Sequence, residues 1–176
     1  MAGQKMKLGP TGQTVAANIT RVRELRALNY TELSRKLTES GRAISPLAIR
    51  HIEEGTRRVD VDDLIVLASA LDVPPIILLS PNVDLPDAKV EATGLGTLTA
   101  TRLWDWLRAE KKLTEEETFK DWLDAQRAAP QWRLNQIYEG ASKIIEINRA
   151  ELDAREGDSS KLDRILSEHR KIDGND

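Results

Sequence analysis

The 176-residue chain contains no cysteine. That excludes disulfide frameworks and thiolate metal sites, and it suits a reducing compartment. Long apolar runs are missing as well; no stretch approaches the roughly 20 residues a membrane-spanning helix needs. The opening Met1-Ala2-Gly3-Gln4-Lys5-Met6-Lys7-Leu8-Gly9-Pro10 lacks the apolar segment of a secretory signal. These absences predict a soluble protein of the cytoplasm. His51 and His169 are the only imidazoles, and neither stands in a metal-ligand spacing such as His-x-x-x-His. Neither Gly-x-Ser-x-Gly nor Gly-x-x-x-x-Gly-Lys-Ser/Thr occurs, and Gly94-Leu95-Gly96 lacks the third glycine of a dinucleotide loop. Glu115-Glu116-Glu117 reads as the acidic first turn of a helix, not as a catalytic carboxylate pair. No catalytic residue, metal ligand or cofactor is expected, and an enzyme is the least favoured class.

An excess of positive charge is also lacking, since the formal net charge is −3. Its distribution is uneven. Residues 1–60 carry eleven Lys/Arg against six Asp/Glu, net +5, while the remainder carries fifteen against twenty-three, net −8. Such asymmetry points to a basic module joined to a region with another task.

What is present is helical periodicity. A short leader, 1–13, precedes a first helix expected over Thr14–Leu28, with Val15, Ile19 and Val22 on one side. Asn29 followed by Glu32 has capping-box logic for a second helix reaching about Ser40, with Leu33 and Leu37 one turn apart. Gly41-Arg42-Ala43 makes a turn. Asp60 caps a fourth helix expected to carry Leu64, Ile65, Leu67, Ala68 and Leu71 inward, and Pro74-Pro75 leads into a short fifth, Ile76–Leu79. Residues 82–96 shift to Pro, Asp, Gly and Thr and read as a linker. Beyond it, helices are expected over 101–112, 115–128, 131–155 and 160–171, and the strand signal is weak throughout.

The most informative stretch is Ile44-Ser45-Pro46-Leu47-Ala48-Ile49-Arg50-His51-Ile52-Glu53-Glu54-Gly55. Ser45 is the expected N-cap and Pro46 suits the first helical position, where its missing N–H is no loss. Gly55 ends the helix where a left-handed residue is cheap. Ile49 and Ile52 share one face; Pro46, Leu47, Arg50 and His51 lie mostly off it. A helix anchored by its rear face with a free first turn is what reading a major groove requires.

On these residues, Ser45-x-x-x-Ile49-x-x-Ile52-Glu53-x-Gly55, the segment 14–81 resembles the lambda-repressor-like (Cro-type, or xenobiotic-response-element type) helix-turn-helix domain. Asn29-Tyr30-Thr31-Glu32-Leu33-Ser34 resembles the start of that family's second helix, and Val61–Ala68 with Leu71 and Val73 its fourth. The resemblance, which covers somewhat under half of the chain, implies a five-helix DNA-binding domain at 14–81; with the helical periodicity of the C-terminal region at 97–176, the chain reads as all-α. The resemblance also implies a sequence-specific transcriptional regulator of prokaryotic or phage type, a repressor more than an activator, associated with the nucleoid. Double-stranded DNA is the expected partner.

Carried over by position, the base-facing candidates are Pro46, Leu47, Arg50 and His51. The phosphate-facing candidates are Tyr30, Thr31, Arg35, Arg42, Ser45, Thr56, Arg57 and Arg58. Arg23 and Glu53 are implied to form a salt bridge that braces the motif. Leu47 reads either as a thymine-methyl contact or as core, and Arg50 suits either a guanine or a phosphate. Pro46 and Leu47 depart from the polar residues many relatives carry there, which shifts the burden toward phosphate contacts and DNA shape. Between Leu33 and Ser45 the chain is about five residues longer than the compact family pattern; Gly41-Arg42-x-Ile44-Ser45 is similar to a longer form of it.

In the second half, Leu134, Ile137, Tyr138, Ala141, Ile144, Ile145, Asn148 and Leu152 recur at three- and four-residue steps on one long helix. Trp104, Trp106, Trp122 and Trp132, with Leu103, Leu107, Phe119 and Leu123, add to the apolar set. They fit an intrachain core, a homodimer interface or an effector pocket; the family's habit of pairing across two half-sites favours the homodimer. A competing function is that of a protein-interaction adaptor or antitoxin-like protein whose C-terminal half grips another partner.

Overall fold

The computed structural model describes residues 7–113, 118–155, 160, 161 and 163–165. Ten elements follow one another: α1 (Pro10–Leu25), α2 (Tyr30–Glu39), α3 (Pro46–Glu53), α4 (Val61–Ala70), α5 (Pro75–Leu79), β1 (Lys89–Ala92), β2 (Gly96–Thr99), α6 (Ala100–Leu107), α7 (Phe119–Gln126) and α8 (Gln131–Arg155). The chain is mostly helical with one two-stranded sheet, compatible with an all-α class. It divides into two compact units, Met1–Glu117 and Thr118–Asp176. Among the described residues no helix is long and apolar enough to cross a membrane.

Helices α1 to α5 pack around one apolar core, with α1 on α3 and α5, α2 on α3 and α4, and α4 on α5. Val15, Ile19 and Val22 of α1 meet Leu33, Leu37, Ile49, Ile52, Leu67, Leu71 and Leu78 there. The 3.6-residue period sets these positions on inward faces. One buried polar side chain joins the first and last of the five helices: Asn18 Nδ2 donates to the carbonyls of Leu78 (3.1 Å) and Ser80 (2.7 Å).

Helix ends recur in one form. In α1 to α4 the residue after the C-cap has positive φ: Ala27 (52°), Gly41 (85°), Gly55 (69°) and Asp72 (55°). Each end closes with the paired backbone bonds of a Schellman motif, as in Thr56 N–H to His51 O (2.9 Å) and Gly55 N–H to Ile52 O (3.0 Å).

The structure corrects several expectations. Helix α1 begins at Pro10, so residues 10–13 are helical and only the preceding part of the expected leader lies outside; it ends at Leu25 because Ala27 turns the chain. Ile65 faces outward, 54% exposed, since the inward arc of α4 is taken by Asp63, Leu67, Ala68 and Ala70. The stretch read as a linker contains an antiparallel hairpin, Lys89 paired to Thr99 and Ala92 to Gly96. Val90 and Ala92 pack with Leu103 of α6 into a small second core. Helices α6 and α7 are shorter than expected, eight residues each; Glu115-Glu116-Glu117 and most of the helix expected at 160–171 lie outside the described residues. The α8 bounds match the sequence reading.

The hairpin is tied to the start of α1. Thr11 N–H donates to Thr93 Oγ1 (3.3 Å) and Thr93 N–H to Thr11 Oγ1 (2.9 Å). Gly9 is required by this approach, because a Cβ there would sit 2.7 Å from Thr93 Oγ1.

Candidate nucleic-acid interface

The candidate site centres on α3. Ser45 Oγ accepts the Ala48 N–H (3.2 Å), and Pro46 follows at the first turn. Ile49 and Ile52 are 0% exposed and fasten the rear of the helix to the core. The opposite side is open: Pro46, Arg50 and His51 are exposed, and Leu47 is 61% exposed. Leu47 is therefore not core. Arg50 Nε pairs with Glu54 Oε1 one turn on (2.8 Å), and this hydrogen bond raises the guanidinium pKa.

Two ion-pair systems hold α3 from behind. In the first, Arg23 of α1 grips Glu53 with two bonds, Nε to Oε1 (2.7 Å) and Nη2 to Oε2 (2.9 Å). Its Nη1 donates to Leu28 O (3.0 Å), and its guanidinium lies over the Tyr30 ring, 4.5 Å from the centroid. The Tyr30 hydroxyl donates to Glu53 Oε2 (3.1 Å). Burial and then this hydrogen bond push the phenol pKa up, which keeps it a donor. The Glu53 hydrogen bond likewise raises the Arg23 pKa.

The second system was not anticipated. Asp63, 1% exposed on α4, accepts from Arg42 Nε at Oδ1 (2.5 Å) and from Arg57 Nη2 at Oδ2 (2.9 Å). Arg42 also pairs with Asp60 (2.7 Å), the residue that caps α4. The Asp60-x-x-Asp63 spacing reads in sequence as helix capping alone; the partners arrive from 21 and 6 residues away. The longer connection before α3 is pinned further by Ile44, which is buried, and by Ser34 Oγ donating to Ile44 O (2.7 Å).

These contacts sort the phosphate-facing candidates. Tyr30, Arg42 and Arg57 are engaged internally. Arg35 pairs with Glu39 on the outer face of α2 (2.5 Å), and Thr31 is exposed at its first turn. Thr56 is exposed, its hydroxyl donating to His51 O (3.1 Å). Arg58 is exposed and makes no ion pair among the described residues.

Trp104 and Trp106 belong to the first unit, Trp122 and Trp132 to the second. Trp104 lines a shallow groove with Ile77 and Pro86. On α8, Tyr138, Ile144, Ile145 and Leu152 are exposed, and Ile137 and Leu134 are half-buried. Among the described residues no cluster of His, Asp or Glu suited to a metal ion occurs. No protein-family model, curated protein or solved structure matches the chain.

Proposed function

We propose that the chain is a sequence-specific DNA-binding transcriptional regulator, a repressor, that inserts α3 into the major groove of double-stranded DNA. The observation that carries this reading is the division of α3 into a fully buried rear, Ile49 and Ile52, and an exposed front, Pro46, Leu47, Arg50 and His51. A helix gripped from behind by Arg23–Glu53 and left open in front suits insertion between phosphate strands. Leu47 meets a thymine methyl, while Arg50 and His51 meet purine edges. Phosphate contacts come from Thr31, Arg35, Ser45, Thr56 and Arg58, and repression follows from occlusion of the promoter. Catalysis plays no part.

The protein acts as a homodimer joined through its C-terminal helices, supported by the exposed apolar side of α8. The same exposed side suits an adaptor that binds an unrelated protein. Selection of duplexes from a random pool, with sizing of the complex, separates the two. A regulator enriches one short motif as two protein copies per duplex, and exchanging Arg50 and His51 for alanine changes that motif. An adaptor retains DNA weakly and without preference. Absence of enrichment sinks the reading.

A further inference from the structure

Resting on the DNA-binding reading above, we propose that Asp63 is a specificity-determining positioning residue that withholds Arg42 and Arg57 from DNA phosphates. One carboxylate serves both ends of α3. Arg42 lies in the connection before the helix and Arg57 in the loop after it, and each takes a separate oxygen of Asp63, at 2.5 and 2.9 Å. The carboxylate is 2% exposed by side chain, whereas the guanidinium-bearing side chains are 39% and 37% exposed. The cations thus stand at the surface that flanks α3 while the Asp63 carboxylate beneath them is hydrogen-bonded to both and offsets one of their two charges.

Charge arithmetic gives the consequence. Non-specific DNA binding is almost wholly phosphate neutralisation, each engaged cation adding about 0.9 to the slope of log K against log salt. Two guanidiniums free to meet phosphates would tighten binding to every sequence and leave base contacts unchanged. Held by Asp63, they instead fix the approach of α3, whose preceding connection is longer than a tight helix-turn-helix allows. Asp60 keeps a second hold on Arg42, so Arg57 is the more easily released of the two.

The test measures affinity for the enriched duplex and for a scrambled duplex across salt, with the wild type, Asp63→Asn, Arg57→Gln and the double variant. Asp63→Asn is expected to bind the scrambled duplex about tenfold more tightly near 0.1 M salt, with a slope steeper by about one to two units. Its preference for the enriched duplex shrinks by a similar factor. The double variant gives back about one unit of that slope, and Arg57→Gln alone leaves the wild-type slope on scrambled DNA within about half a unit. Equal weakening of both duplexes by Asp63→Asn, with unaltered slope, overturns the proposal. So does a slope flattened by about one unit in Arg57→Gln alone, and this arm decides the matter if Asp63→Asn does not fold. A wild type that prefers neither duplex refutes the DNA-binding reading itself, a result distinct from either.

Discussion

In the α1–α5 bundle, Leu33, Leu37, Ile49, Ile52 and Leu67 are all 0% exposed, whereas on α8 Ile145 is 67% exposed and Tyr138, Ile144 and Leu152 are exposed too. Apolar side chains at helical spacing thus meet opposite fates in the two regions. The bundle has five helices whose inward faces cover one another, and its buried charges are paired. On α8 that stripe stays open from Tyr138 onward, and the ion pairs of α7 are on the surface. Periodicity reports that a face is apolar; it does not report what covers it. A second element must be at hand for burial, and for the exposed part of α8 that element is not among the described residues.

The sharpest way to break this comparison is to cut the bundle's brace. Arg23→Met leaves Glu53 buried without its cation and is expected to lower stability by about 3–5 kcal/mol in denaturant unfolding. A loss below about 1 kcal/mol would show that water or Tyr30 compensates. Next comes the same truncation in both regions. Leu33→Ala is expected to cost about 2–5 kcal/mol, while Ile145→Ala changes the unfolding of the isolated protomer by less than about 0.5 kcal/mol. Ile145→Lys with Leu152→Lys is expected to abolish self-association in sedimentation while the bundle's unfolding stays put. A wild type already monomeric at high concentration removes the dimer.

Smaller effects come from helix ends. Gly55→Ala forces a Cβ into φ of 69° and is expected to cost about 1 kcal/mol, whereas Ala27→Gly relieves φ of 52° and gains up to about 1 kcal/mol. Thermal melts of the pair check the opposed signs. The smallest effect concerns α7. The Lys120 hydrogen bond holds the Asp124 carboxyl below its ordinary 3.8. The pair therefore adds stability above that value and loses it as pH falls through the lowered one. An NMR titration of Asp124 should show the downward shift and Lys120→Ala should erase it, with no measurable change in melting because the pair is at the surface.

Much of the bundle was legible because its signals are local. The Asn29–Glu32 capping box forms as expected, with Asn29 N–H donating to Glu32 Oε2 (2.8 Å) and Glu32 N–H to Asn29 Oδ1 (2.9 Å). Ser45, Pro46 and Gly55 mark α3 within a residue, and α8 has a long uninterrupted period. Helix ends without glycine were not legible: Ala27 and Asp72 hold φ of 52° and 55°, a left-handed conformation that alanine rarely and aspartate only occasionally adopts. The hairpin escaped notice because four residues give only two cycles of alternation, Val90 and Ala92 inward. Gly94, in its turn, and Gly96, the first residue of β2, are both at positive φ, although the sequence reads them only against a dinucleotide loop. At the interface, exposure of Arg50 and His51 followed from spacing, but the capture of Arg42 and Arg57 by Asp63 depends on the meeting of α4 with both flanks of α3. No spacing rule encodes that.

On the DNA-binding reading proposed above, the eight residues of α3 set a ceiling on what one protomer can distinguish. At 1.5 Å per residue the helix is about 12 Å long, the rise of three or four base pairs. A word that brief recurs by chance about once in every hundred base pairs, and a genome offers a million or more competing addresses. A lone protomer would be sequestered by decoys. Only a reader that spells two such words at a set distance acquires a vocabulary large enough to name a single place.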